Sequence, residues 1–185
     1  MRTLIFYPLL LLNVFSGEHD FRTLNWGMTI KEVIQAETLK LESQIGSELR
    51  YSKTLSGIDC SLIYYFTQGR LSKAAYTSKE SYTNFNDYIE DYKLLKGLLE
   101  KKYGTAASDK LLWSDEQNKV APDHFGNAVA TGQLQYEARW SNKRTRIAIN
   151  LNGNNNKCRL TITYEAVNTK WNTQGQDAED TMDEL

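Results

Sequence analysis

Residues 58–78 decide the fold, and their sequence reads IDCSLIYYFTQGRLSKAAYTS. The first ten residues are dense in β-branched and aromatic side chains, which fit the pleated, half-buried surface of a strand. Gln68-Gly69 then provides a tight turn, and a second strand-like run extends from Arg70 to Ser78. A weaker run from Glu48 to Thr54 precedes them, across the turn at Ser56-Gly57. The pattern predicts three consecutive strands of an antiparallel meander.

One helix is predicted before this meander and one after it. Thr29 and Glu32 have the spacing of a capping box, in which each side chain accepts a backbone N–H of the first turn, and Val33 begins the apolar stripe. In the second helix, Asn84 suits the N-cap and Gly104 the C-terminal cap. The apolar stripe of the second helix comprises Phe85, Tyr88, Ile89, Tyr92, Leu95, Leu98 and Leu99 at helical spacing.

A second set of strands follows a segment of mixed pattern. Within that segment, Leu111 to Trp113 favours a short strand, and Pro122 to Ala130 favours a short helix with proline at its first position. Beyond it, apolar and polar residues alternate strictly, as is typical of antiparallel strands with one buried and one wet face. The alternating stretches are Leu134–Trp140, Thr145–Leu151 and Cys158–Ala166, with a turn expected at Asn152-Gly153-Asn154.

These elements predict the α+β class, with an antiparallel β-sheet and the two main helices packed on one face. The order of helix, meander, helix and meander also suggests a tandem repeat with halves 21–80 and 81–171. Because the two halves do not visibly align in sequence, the duplication is a hypothesis from topology alone. We expect a single domain over residues 17–171.

The two ends of the chain read differently from this domain. Residues 1–16 form a short basic start and an apolar middle that ends in small residues, which predicts a secretory signal peptide cleaved after Ser16 or Gly17. The alternative is a strand or buried helix of the folded domain. Residues 172–185 contain five acids, no bases and no aromatic residues, which predicts a disordered tail. No later stretch is long and apolar enough to span a membrane.

The charge balance and the motif content narrow the function. Lys and Arg total 22 against 23 Asp and Glu, a net charge of −1. Such a balance makes nucleic acid an unexpected partner, because no basic excess exists to neutralise phosphates. Phosphate loops, nucleophile elbows and zinc-protease motifs are absent from the sequence, so we expect no cofactor. With His19 and His124 as the two histidines, and no ligand at close metal-site spacing from either, we expect no metal site.

Two cysteines and a few polar clusters are candidate reactive groups. Cys60 and Cys158 lie in strand-like runs and leave two alternatives open, a disulfide or two separate buried thiols. His124 beside Asp123 has the composition of an acid–base pair, but it lies in a polar loop with no nucleophile nearby in sequence. A helical cluster of carboxylates is better explained as a solvated face; it comprises Asp87, Glu90 and Asp91.

A stretch at the start of the first helix resembles a known helix-entry signature. Residues 25–33 read NWGMTIKEV, and the Gly-Met-Thr-x-x-x-Val core is similar to that of small outer-membrane-assembly lipoproteins and of β-lactamase-inhibitor-like domains. The longer Trp-Gly-Met form is similar to uncharacterised bacterial exported proteins. The resemblance implies a helix-plus-antiparallel-sheet fold and a binding role. The chain lacks the lipid-anchor cysteine of the assembly lipoproteins near the expected cleavage site.

The polar faces of the last three strands provide the candidate site. Arg139, Arg146 and Arg159 fall on the polar phase of three successive strands, so we expect them to form one cationic strip, although a plain solvated face is the alternative. The sequence thus predicts a non-catalytic exported protein, periplasmic or secreted, that binds an envelope protein or polymer. The alternative function is a hydrolase with a dispersed active site. The sequence does not specify the oligomeric state.

Overall fold

The computed structural model describes residues 19–170, and within that range eight strands form one antiparallel sheet. The predicted signal peptide 1–16 and the acidic tail 172–185 lie outside the described residues. The strands are β1 (Ser43–Ile45), β2 (Glu48–Leu55), β3 (Ile58–Thr67), β4 (Arg70–Ser78), β5 (Ser108–Trp113), β6 (Leu134–Ser141), β7 (Thr145–Asn154) and β8 (Lys157–Ala166). The α-helices are α1 (Ile30–Ala36), α2 (Asn86–Tyr103) and α3 (Phe125–Ala130), with 3₁₀ turns at Glu116–Asn118 and Pro122–His124.

The α+β class predicted from sequence is confirmed by this architecture. The sheet order is β1-β2-β3-β4-β8-β7-β6-β5, so the last strands of the two meanders pair with each other. Counting outward from the β4–β8 pair, four strands run back to β1 on one side and four run back to β5 on the other. A helix precedes each set of four. The topology therefore has the order of a tandem repeat, while a duplication of sequence stays a prediction.

The register aligns the apolar phases of all the long strands on one side of the sheet, which we call the inner face. Across the sheet, one row of directly paired residues runs Tyr51, Leu62, Tyr76, Ile162, Ile149 and Ala138. All six are buried. Helix α2 contacts this face through Tyr92, whose ring centroid lies 5.2 Å from that of Tyr136. The packing of both main helices on the same face stays a prediction.

Helix α2 has the predicted position but a different buried stripe. It begins at Asn86 with Phe85 as its N-cap, so the expected N-cap at Asn84 is wrong; Asn84 lies one residue earlier and accepts a hydrogen bond from the Asn86 backbone N–H at 3.2 Å. Its buried residues are Tyr88, Ile89, Tyr92, Leu95 and Leu99. Leu98, expected in the stripe, is 38% exposed, so that part of the prediction is wrong. Since successive helical residues are about 100° apart, a helix that buries Leu95 and Leu99 turns Leu98 to the edge of the contact.

The helix-entry motif connects the two halves of the sheet. The capping box is present, with Glu32 N donating to Thr29 Oγ1 at 3.3 Å and Thr29 N donating to Glu32 Oε2 at 2.7 Å. Just before it, the indole N–H of Trp26 donates to Thr145 Oγ1 on β7 at 2.9 Å, and both groups are buried. This bond crosses from the first half to the second and fixes the residues before α1 against the sheet. No helix within residues 19–170 is both long and apolar enough to cross a membrane.

Candidate binding face

The polar phase of the strands forms the opposite side of the sheet, which we call the outer face. On it, Arg139 of β6 pairs with Ala148 of β7, while Arg146 of β7 pairs with Ser141 on one side and with Glu165 on the other. Arg139 and Arg146 are therefore diagonal neighbours on adjacent strands, with Cα atoms about 7–8 Å apart. The structure brings these two predicted site residues together.

The third predicted arginine belongs to the same face but lies elsewhere on it. Arg159 pairs with Asn152, six positions along β7 from Arg146. At about 3.3 Å per residue, this places the Cα atoms of Arg146 and Arg159 roughly 20 Å apart. The expected single strip of three arginines is therefore wrong. The reason is that β7 and β8 are antiparallel, so Arg159 lies beside their connecting turn and Arg146 lies at the far end of the hairpin.

A floor of small side chains lies beside the arginine pair. Ala75, Thr163 and Ala148 follow one another across three neighbouring strands. At Arg139 and Arg146, the surface is recessed into a groove of about 520 Å³, whose lining includes Ala148, Thr163 and Glu165. Small side chains let another molecule approach the sheet closely, and the longer side chains at the rim supply charge.

The charges at the rim are unequally paired. Arg139 Nη2 donates to Glu137 Oε2 at 2.6 Å, and this bond raises the pKa of Arg139 and lowers the pKa of Glu137. Glu165 is bound by Lys73 of β4 at 3.2 Å. Arg146 has Glu165 as its cross-strand neighbour but forms no ion pair with it or with any other carboxylate among residues 19–170, and it donates one long hydrogen bond of 3.5 Å to the Ala166 carbonyl. Arg146 is thus the cation on this rim with capacity for an added anion.

The candidate catalytic residues lie apart from this groove. His124 Nε2 is 3.6 Å from Asp123 Oδ2, in a pair whose side chains are 63% and 74% exposed. The carboxylates of α2 have local partners: Asp91 accepts from the Tyr82 hydroxyl at 2.8 Å, and Glu90 pairs with Lys93 at 2.8 Å. Within residues 19–170, no three His, Cys, Asp or Glu side chains are grouped as a metal site requires.

The two cysteines are free, and the disulfide alternative is wrong for this fold. Cys60 lies on β3 and Cys158 on β8, and β4 runs between those strands. Two strand spacings amount to about 10 Å, whereas bridged cysteines have Cα atoms less than about 7 Å apart. Burial raises the pKa of both thiols to about 11, so each is protonated and poorly nucleophilic near neutral pH.

The sequence did not predict a buried polar cluster around Glu37. The Glu37 side chain is 1% exposed, and it accepts from Arg22 Nη2 at 3.0 Å and from the Tyr64 hydroxyl. Its Oε1 also accepts the backbone N–H groups of Thr38 and Leu39 at 2.8 and 3.0 Å. Burial opposes the ionisation of Glu37, but these hydrogen bonds and the Arg22 charge outweigh it and lower the pKa. Arg22 and Tyr64 lie 15 and 27 residues from Glu37 in sequence, so no local sequence pattern predicts the cluster.

Comparisons of the chain with protein-family models, with curated proteins and with solved structures each find no match.

Proposed function

We propose that this protein is a non-catalytic, exported binding protein of the bacterial envelope, and that its outer sheet face docks an acidic segment of a partner protein. The observation that carries the proposal is Arg146, an exposed guanidinium without a carboxylate partner among the described residues, at the rim of the groove. We infer export from residues 1–16, which form a short basic start and an apolar run that ends in small residues.

The outer face has the physical properties that such docking needs. Ala148 and Thr163 leave the sheet open to close approach, while Arg139 and Arg146 project planar donor groups at one end of the groove. Guanidinium groups bind carboxylates in a bidentate manner, and arginine is enriched where proteins dock. Because these charges lie at a rim, the association rate should fall as salt is added.

The register provides a control on the same face for a test of this proposal. We would compare Arg139→Glu/Arg146→Glu with Arg159→Glu, which reverses one charge on the same face about 20 Å from Arg146. The probe is poly-L-glutamate immobilised for surface plasmon resonance. We expect the double variant to bind at least about tenfold more weakly than the wild type, which corresponds to about 1.4 kcal/mol, and Arg159→Glu to differ less than twofold.

Equal binding by the wild type and the double variant would overturn the proposal. Affinity capture from envelope fractions then distinguishes the kind of partner. A protein recovered by the wild type and by Arg159→Glu, but not by the double variant, would support the proposal. Recovery of an anionic polymer in place of a protein would show that the face binds an envelope polymer, the other partner predicted from the sequence.

The alternative function, a hydrolase with a dispersed active site, is tested separately. Purified protein would be assayed with chromogenic ester, phosphate and glycoside substrates. Turnover that one substitution within residues 19–170 abolishes, without loss of the fold, would favour the hydrolase over the binding protein.

A further inference from the structure

A separate cavity of about 290 Å³ lies on the inner side of the sheet, where the two halves meet. Its floor is Tyr76 of β4 with Ile162 and Tyr164 of β8, the two strands that join the meanders. One wall is the face of α2 that carries Leu95, Leu98 and Leu99. The opposite wall consists of Phe21 and the end of the β2–β3 hairpin. The cavity therefore depends on both halves, and it shares no lining residue with the groove of the outer face.

The mouth of this cavity is apolar. Leu98 is 38% exposed, although Leu95 and Leu99 on the same helix are buried. Across the cavity, Leu55 at the end of β2 is only partly buried. A half-open cleft with aromatic and leucine walls and a few polar groups is the usual form of a small-molecule site, and this one lies at the lower end of the usual volume range of about 300–1,000 Å³.

Two cations line the cavity, and no carboxylate belongs to its lining. Arg22 has a left-handed backbone conformation with φ of 54°, which is unusual for a residue with a side chain. Its Nε and Nη2 donate to Glu37 at 3.2 and 3.0 Å, and the guanidinium also interacts with the Tyr76 hydroxyl of the cavity floor, so it is fixed in place at the cavity. Lys102, one turn beyond Leu98 on α2, is exposed and carries the second charge.

We propose that this cavity binds a small apolar carboxylate, such as a medium-chain fatty acid. The hydrocarbon part occupies the space between Leu98, Tyr76 and Tyr164, and the carboxylate lies towards Lys102 and Arg22. The apolar walls provide the affinity, since the favourable free energy of transfer from water grows with the alkyl surface that is buried. The cations select an acid over an alcohol or an amine. This site is independent of the docking proposed for the outer face.

The test is isothermal titration calorimetry of the full-length protein with decanoate, with decanol and decylamine as controls for the headgroup. We expect saturable binding of decanoate and weaker binding of both controls. Leu98→Glu should weaken decanoate binding at least about tenfold, because it places a charge at the apolar mouth. The matched control is Leu94→Glu. Leu94 is 46% exposed on the same helix and does not line the cavity, so this variant should bind like the wild type.

A second variant tests the headgroup while it leaves the walls intact. Lys102→Met should weaken decanoate binding about threefold, the size expected of an exposed ion pair, and should leave decanol binding unchanged. Arg22 is not substituted, because its pair with Glu37 contributes to the fold. The proposal is overturned if the wild type shows no saturable decanoate binding, if Leu94→Glu and Leu98→Glu weaken it equally, or if decylamine binds as well as decanoate.

Discussion

The two halves of the sheet have the same strand order but are covered in different ways. In the second half, α2 runs from Asn86 to Tyr103 and buries five side chains, and α3 packs beside it. In the first half, α1 runs only from Ile30 to Ala36 and buries Val33 alone. The remaining cover comes from the residues before α1, among them the buried Phe21, Leu24 and Trp26, and from the cluster of Arg22, Glu37 and Tyr64.

This difference shows that one topology can be stabilised by two kinds of interaction. Apolar packing of a long helix depends on buried area and is insensitive to pH. A buried carboxylate depends on its charge and on every hydrogen bond that it accepts, so its contribution changes with pH. We therefore expect the second half to lose stability when an apolar contact of α2 is removed. The first half should lose stability when the pH falls.

The largest effect should come from a charge in the apolar contact of α2. Leu95→Asp places a carboxylate at a position that is 3% exposed, and we expect the domain to lose several kcal/mol of unfolding free energy, enough to unfold it. The neighbouring Leu94→Asp, at a position that is 46% exposed, should change the unfolding free energy by less than about 0.5 kcal/mol. Thermal unfolding followed by circular dichroism measures both. Equal melting temperatures would contradict the orientation of α2.

The next largest effect should come from the ionic cluster of the first half. Glu37→Gln keeps the shape of the side chain but removes the charge that Arg22 and Tyr64 bind, and we expect a loss of about 2–3 kcal/mol near neutral pH. The pKa of Glu37 is lowered in the folded state, so its contribution is complete above the ordinary value of 4.5 and is lost as the pH falls below it. The gap between the wild type and Glu37→Gln should therefore narrow between pH 7 and pH 3.

Urea unfolding at several pH values measures this gap. Glu90→Gln is the matched control, because Glu90 is 69% exposed and pairs with Lys93 on the surface. Its unfolding free energy should follow the wild type at every pH. A gap for Glu37→Gln that stayed constant as the pH fell would show that the Glu37 charge does not stabilise the first half.

The local pattern of the sequence predicted much of the fold, because alternation and capping act over a few residues. Strands β3, β4, β7 and β8 follow from alternation or β-rich composition, and the capping box of α1 follows from Thr29 and Glu32. The short edge strand β1 was missed, since three residues carry almost no periodic signal. The pairing of β4 with β8 could not be read from the sequence either, because it joins strands that are far apart in the chain.

The register of β7 and β8, which places the arginines of the outer face, could not be predicted from the sequence because it depends on a contact between distant parts of the chain. The turn between β7 and β8 was expected at Asn152-Gly153-Asn154, but it lies at Asn155 and Asn156, which have φ of 50° and 57°. Gly153 instead lies within β7, where an added Cβ would come within 2.4 Å of the Val129 carbonyl oxygen. It is glycine because the end of α3 packs against the strand, a contact that only the folded chain reveals.

Two glycines test how α2 and α3 cover the second half, with the smallest expected changes in stability. Gly126 is the second residue of α3, and a Cβ there would lie 2.4 Å from Asn86 N and 2.5 Å from the Phe85 carbonyl carbon. Both atoms are backbone, so Gly126→Ala must push α3 away from α2 at a cost of about 1–3 kcal/mol. Gly97→Ala, in the middle of α2, meets no atom within 4 Å and should stabilise by about 0.5–1 kcal/mol through helix propensity.

Urea unfolding at pH 7 distinguishes the two variants by the sign of the change. Helix propensity alone would favour alanine at both positions, so opposite signs isolate the close contact between α3 and α2 as the source of the loss at Gly126. Stabilisation by both substitutions would mean that α3 moves away freely. The apolar cover of the second half would then depend on α2 alone. The difference between the two halves would come from the length of α2 compared with that of α1.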